Sequence, residues 1–152
     1  MERKAHMVFA AGLSMEVLRL AGLLHPLTGL LGLGAAVIGS VVPDMDLQSG
    51  HRALMHNVFI AGLLSFLFYL LGYSVGGHML GAVIGLGYAV GHYSHILLDS
   101  FTVRGVALLY PFTRKYYRVF RVKSDSKLAN AVVGLIGALL LLDTVTLMHA
   151  GR

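Results

Sequence analysis

His92, His95 and Asp99 lie three and four residues apart, and at 100° per residue a helix places them within an arc of about 60°. Two imidazoles and a carboxylate on one helix face are donors suited to a divalent cation. The competing reading is a hydrogen-bonded packing role for each histidine. A second group, Pro43-Asp44-Met45-Asp46 followed by His51-Arg52 and His56, offers both oxygen and nitrogen ligands. Arg52 there suits a two-pronged hydrogen bond to a phosphate or carboxylate. Its competing reading is a solvated loop in which Asp44 or Asp46 caps a helical turn. With His6 near the start, the metal-ligand candidates are His6, Asp44, Asp46, His51, His56, His92, His95 and Asp99. That exceeds the four ligands of a closed zinc site and points to an open catalytic position or to two metals.

The elements that must position these residues are membrane helices. Of 152 residues 57% are hydrophobic and 12% charged, about half the charge of an average soluble chain. No Asp, Glu, Lys or Arg occurs in the 46 positions between Arg52 and Asp99, nor in the 24 between Arg19 and Asp44. A soluble enzyme, a disordered tail and a disulfide scaffold are excluded, since a bilayer is what accommodates so much apolar surface in one short chain. With no cysteine, thiolate metal sites are excluded as well.

A helix needs about 20 apolar residues to cross the hydrocarbon core, and five segments approach that: 6–24, 27–42, 57–75, 78–98 and 128–148. The expected fold is all-α, a polytopic transmembrane bundle of four to five helices forming one integral membrane domain over 1–152. Glu16 and Arg19, three apart, pair on one face of the first span. A signal peptide is disfavoured because those charges interrupt the apolar run and no small-x-small cleavage site follows. Gly77, Gly81 and Gly85 recur every four residues, with Gly87 and Gly91 beyond, a spacing that lets helices approach closely.

Seven of the twelve basic residues fall between Asp99 and Leu128. The positive-inside rule places this loop, 99–127, in the cytoplasm. Counting back through alternating spans puts the N-terminus and the 43–56 loop on the same side. All the candidate ligands then gather at one membrane face, whereas His25, His78 and His149 fall at the other and read as interfacial residues. The aromatics among the loop's cations, Tyr110, Phe112, Tyr116, Tyr117 and Phe120, read as an interfacial belt. No nucleic-acid partner is expected, since no binding motif accompanies the charge.

At these residues the chain resembles the YdjM-like family of inner-membrane, metal-dependent hydrolases. The matching pieces are Ala5-His6, the stretch from Gly39 through Pro43-Asp44-Met45-Asp46, His51-Arg52 with His56, the stretch Gly91-His92-Tyr93-Ser94-His95 through Asp99-Ser100-Phe101-Thr102, and Arg104 to Phe112. The resemblance implies a small polytopic membrane protein with metal ligands from its Pro-Asp-x-Asp, His-Arg-x-x-x-His and His-x-x-x-Asp motifs. The last motif is also similar to one in zinc-dependent phospholipases C and related nucleases, which turns the substrate expectation toward phosphoesters. Leu47 stands where the family often has another histidine, and Ala53, Met55 and Asn57 replace its usual small residues.

The expectation is therefore a hydrolase at the cytoplasmic face of the inner membrane. It would depend on one or two divalent ions, zinc first and manganese or magnesium next, and act on a phosphoester or lipid-like substrate. Asp44 or Asp46 would orient or deprotonate water and Arg52 would stabilise charge on the phosphoryl oxygens. Membrane lipids and an anionic or phosphorylated substrate are the expected partners, the basic loop holding anionic head groups near the surface. Two rivals remain at this level: an ion or small-molecule transporter, which needs ionisable groups near the bilayer midplane, and a non-catalytic scaffold with a structural metal.

Overall fold

The computed structural model describes residues 1–49 and 54–150, the side chains of 46–49 excepted. It is all-helical: α1 (Arg3–Leu20), α2 (Pro26–Val41), a 3-10 helix (Val42–Ser49), α3 (Val58–Ser100) and α4 (Lys127–Ala150). There is no strand among the described residues. Three helical stretches, Pro26–Met45, Val58–Ser100 and Lys127–Ala150, are long and apolar enough to cross a membrane.

Local chemistry sets the helix ends. Gly22, at φ 68°, closes α1 in the left-handed conformation, with Gly22 N–H donating to Arg19 O and Leu23 N–H to Leu18 O, the reciprocal pair that satisfies the last carbonyls. Pro26 then opens α2 at a position where its missing N–H costs nothing. Asn57 caps α3, its side chain accepting from Phe59 N at 3.0 Å and Ile60 N at 2.9 Å.

α3 is 43 residues long, and a straight helix of that length would extend about 65 Å, twice the hydrocarbon thickness. It breaks at Gly76 and Gly77, the latter at φ 70°, and folds back as a hairpin of two limbs, 58–75 and 78–100. A Cβ at Gly72 would lie 2.8 Å from Leu80 O, and one at Gly85 2.7 Å from the Tyr69 Cβ, so the limbs are antiparallel and in close contact. The glycine series thus divides its work. Gly77 makes the turn rather than a packing contact, Gly81 and Gly85 admit the first limb, and Gly87 and Gly91 admit α2, where a Cβ would collide with the Gly32 and Ala36 carbonyl oxygens.

α1 is the least apolar of these helices because it is the one the others surround. It packs against α2, α3 and α4, burying His6, Ala10, Ser14 and Leu18, a stripe with i, i+4 spacing along one face. Gly12 meets Gly137 of α4 so closely that a Cβ would strike the Gly137 carbonyl oxygen. The lipid-facing surface falls instead to residues such as Leu63, Phe66, Leu67 and Leu71 of α3 and Leu135, Leu139 and Leu142 of α4, all exposed.

The 101–126 segment is tied down by backbone pairing. Val106 and Tyr117 exchange hydrogen bonds at 3.0 and 2.8 Å, and Val103 N–H donates to Val122 O at 3.0 Å. Val106 is buried with Ala61 and Ile96. At the same end Asn130 of α4 accepts from Glu2 N–H and donates to Ser124 O, both at 3.0 Å. These ties hold the start of α1, the end of α3 and the start of α4 together.

Candidate metal centre

The second limb of α3 buries Gly81, Gly85, Tyr88, His92, His95 and Asp99. That alternation of four and three is the seam of a helix packed on its neighbours. Towards the end of the seam its residues turn from small and aromatic to ionisable. His6 stands at the corresponding end of the buried stripe on α1, Asp44 on the first turn of the 3-10 helix where Pro43 follows α2, and His56 just before α3. Four segments therefore deliver His6, Asp44, His56, His95 and Asp99 to one end of the bundle.

The Asp99 carboxylate is the hub. Its Oδ1 lies 2.7 Å from the Met1 ammonium and 3.2 Å from His6 Nε2, and its Oδ2 lies 3.6 Å from His95 Nε2 and 3.7 Å from His56 Nε2. His95 Nε2 is also 3.6 Å from Asp44 Oδ1. The His6 and His95 rings stack at 4.0 Å, and His56 meets His95 edge-on at 5.2 Å. Two overlapping triads result, His6-His95-Asp99 and Asp44-His56-His95, each with its ligand atoms within 4.8 Å of one another.

This geometry suits a cation. The Ser40 carbonyl lies 2.7 Å from His95 Nδ1 and can only accept, so that nitrogen carries a proton. In the neutral ring Nε2 then presents a lone pair toward two carboxylate oxygens, a repulsive arrangement that an intervening positive charge converts to attraction. His95 Nε2 and both ring nitrogens of His6 are buried without a hydrogen-bond partner, an arrangement that costs free energy until a partner is supplied. Ligands bound at about 2.0–2.2 Å to a tetrahedral ion stand roughly 3.3–3.5 Å apart. The carboxylate–imidazole distances of 3.2 to 3.7 Å are close to that.

His92 stands apart from the cluster. Its Nε2 donates to Met55 O at 2.9 Å and its Nδ1 accepts from the Tyr88 hydroxyl at 3.2 Å, so both nitrogens are already committed. Its place on the same helix face as His95 and Asp99 reflects packing in the seam. The side chain of Asp46 and the whole of His51 and Arg52 lie outside the described residues. Four contributors lie outside the sequence expectations: the Met1 ammonium, which reaches Asp99, Tyr88 and the Met55 carbonyl, which orient His92, and the Ser40 carbonyl, which orients His95. Tyr88 was detectable, since it precedes His92 by one helical turn.

Beside the cluster opens a cavity of about 900 Å³. Asp44 and Asp99 line it, and the other lining residues, basic ones prominent among them, come from the start of α1 and from the 101–126 segment. Arg3, mostly exposed, brings its Nε to 3.9 Å from Asp44 Oδ2.

Fold and cluster together define a small helical membrane protein with His and Asp side chains of metal-ligand type gathered at one end. Residues 1–150 match the YdjM inner membrane protein family, and the chain belongs to that family. It is also similar to the uncharacterized protein ORF4 of Methanothermobacter thermautotrophicus, 34% identical over 96 residues that cover 60% of this chain and 37% of that protein. The chain thus matches well under half the length of that relative. No solved structure matches it.

Proposed function

We propose that this membrane protein is a divalent-metal-dependent hydrolase acting on a phosphoester or lipid-like substrate at the cytoplasmic membrane face. The observation that carries the reading is His95, held by Ser40 O with its other nitrogen turned to Asp44 and Asp99. His6, His56, His95, Asp44 and Asp99 would hold the ion, zinc first given the imidazole-carboxylate donors, manganese or magnesium next. A divalent cation supplies Lewis acidity there, activating water near neutral pH and polarising a phosphoryl oxygen. A histidine nitrogen serves one metal, and both triads share His95. The described residues therefore accommodate one ion, and a second would draw on Asp46 or His51.

Among the carboxylates Asp44 is the better placed to take a proton from water. It borders the cavity, and its Oδ2 faces the solvent-exposed Arg3, whereas both oxygens of Asp99 are crowded by nitrogens. Asp46 as a second base and Arg52 as a phosphoryl clamp keep the roles their residue types suggest. The basic 101–126 segment supports the cytoplasmic side through the positive-inside rule. A transporter finds less support, since Glu16 and Arg19, ionisable residues toward the other end of α1, are paired with each other within one helix.

The test is turnover of phospholipid, isoprenoid-phosphate and nucleotide substrates by purified protein with zinc, manganese or magnesium. Asp44→Asn, which alters both a proposed ligand and the proposed base, is expected to lower the rate by about 100-fold or more. Absence of turnover on every substrate with every metal overturns the hydrolase reading and leaves a metal-bearing scaffold.

A further inference from the structure

Arg3 and Lys4 on the first turn of α1, Arg104 after α3 and Lys123 before α4 line one cavity, the same one that Asp44 and Asp99 border. They come from three stretches of chain far apart in sequence, brought together by the ties among residues 1–3, 101–124 and Asn130. Met1 and Val103 are the large apolar side chains in the lining, and Asp125 is the carboxylate outside the metal cluster. Charged and polar residues outnumber apolar ones in that lining. With a divalent cation on Asp44 and Asp99, four cationic side chains face Asp125 alone. Such a concentration of positive charge in one concave space favours a ligand carrying two or more negative charges and disfavours a zwitterion.

We propose that this cavity is the head-group subsite of the hydrolase, and that Arg3, Lys4, Arg104 and Lys123 select a dianionic phosphoryl group. A phosphomonoester or a diphosphate meets that requirement, and a zwitterionic phosphodiester lipid does not. The proposal rests on the metal-hydrolase reading for its chemistry, and its binding component can be measured separately. The group reaches the site from the aqueous side, which suits both a soluble phosphate compound and the head of a lipid whose tails stay in the bilayer. Arg104 and Lys123 are the residues to alter, since neither belongs to the cluster.

The experiment is calorimetric titration of detergent-purified, metal-loaded protein with inorganic pyrophosphate. It is repeated on Arg104→Gln/Lys123→Gln and on the charge-preserving Arg104→Lys/Lys123→Arg, with the metal content of each sample determined. The neutralised variant is expected to bind about 100-fold more weakly at unchanged metal content, about tenfold per lost charge-assisted contact. The charge-preserving variant stays within a few-fold of wild type. A neutralised variant that keeps its metal and binds pyrophosphate as tightly as wild type overturns the subsite. If the wild type holds no metal the hydrolase reading fails, and the same titrations on chelator-treated protein then decide the subsite alone.

A parallel arm in nanodiscs distinguishes the two sources of the group. Competition of pyrophosphate binding by phosphatidate, with none by phosphatidylcholine, assigns the subsite to a lipid phosphomonoester. No competition by either lipid assigns it to a soluble phosphate compound. Equal competition by both contradicts the charge selection.

Discussion

Ten residues apart on α1, about 15 Å along its axis, two polar clusters sit in an otherwise apolar bundle. At Glu16 the polar atoms have found one another: both carboxylate oxygens accept from the Arg19 guanidinium, and Thr144 of α4 donates to one of them at 3.0 Å. At His6 the match is incomplete: the Met1 ammonium donates to Asp99 at 2.7 Å, but both ring nitrogens of His6 and Nε2 of the neighbouring His95 are buried without a hydrogen-bond partner. A satisfied cluster fastens helices together and asks for nothing more. A buried cluster of imidazoles and carboxylates that leaves nitrogens unpaired carries an energetic cost which a cation removes. The comparison separates structural polarity from a candidate site more sharply than the presence of charge in a membrane chain does by itself.

His92 belongs with the satisfied group although it lies among the ligands on its helix. The Tyr88 hydroxyl and the Met55 carbonyl answer its two nitrogens, as the Tyr69 hydroxyl answers His78 Nδ1 at 3.0 Å at the far end of the hairpin.

The contrast can be broken in four places, ordered by expected effect. His95→Ala, which removes a member of both triads, is expected to lower divalent-metal affinity by more than about 100-fold, beyond the usual cost of losing an outer-sphere partner. Competition against a chelating dye reads it, and unchanged affinity would remove His95 from the site. Glu16→Ala removes the carboxylate that joins the Arg19 guanidinium to Thr144 of α4. It is expected to lower the midpoint in detergent-denaturation experiments with metal affinity unaltered, and a parallel loss of metal would show the two clusters to be one system. His92→Phe deletes two hydrogen bonds and is expected to cost about 1–2 kcal/mol of stability while sparing the metal; a loss comparable to that of His95→Ala would return His92 to the ligand set. Thr144→Val removes a single interhelical bond and is expected to cost only about 0.6 kcal/mol.

Much of this is legible in the sequence. The long gaps between charges mark the helices, and the uncharged run broken only at Gly76 and Gly77 reads as two spans, which the structure renders as the limbs of one hairpin. His6, Asp44, His56, His95 and Asp99 stand out because each lies at a helix end on the same side of an alternating topology, and the structure brings those five together. Spacing alone could not tell His92 from His95, since both fall on one face and the difference lies in what each nitrogen meets. Nor could it assign the Ser40 and Met55 carbonyls, because any residue offers a carbonyl and only folding decides where it points. Arg3, Lys4, Arg104 and Lys123 read as topology signals in the sequence. Their convergence on one cavity depends on the backbone pairing of 101–126, which carries no strong periodic pattern.

The central claim is that the unsatisfied cluster holds a metal and the satisfied one does not. Elemental analysis of detergent-purified protein, after equilibration with zinc and removal of excess, tests it on wild type, Glu16→Ala and Asp99→Ala side by side. The account predicts about one equivalent of metal in wild type and in Glu16→Ala, and none in Asp99→Ala that retains its helical circular-dichroism spectrum. Wild-type protein without metal, or folded Asp99→Ala with a full equivalent, would contradict it.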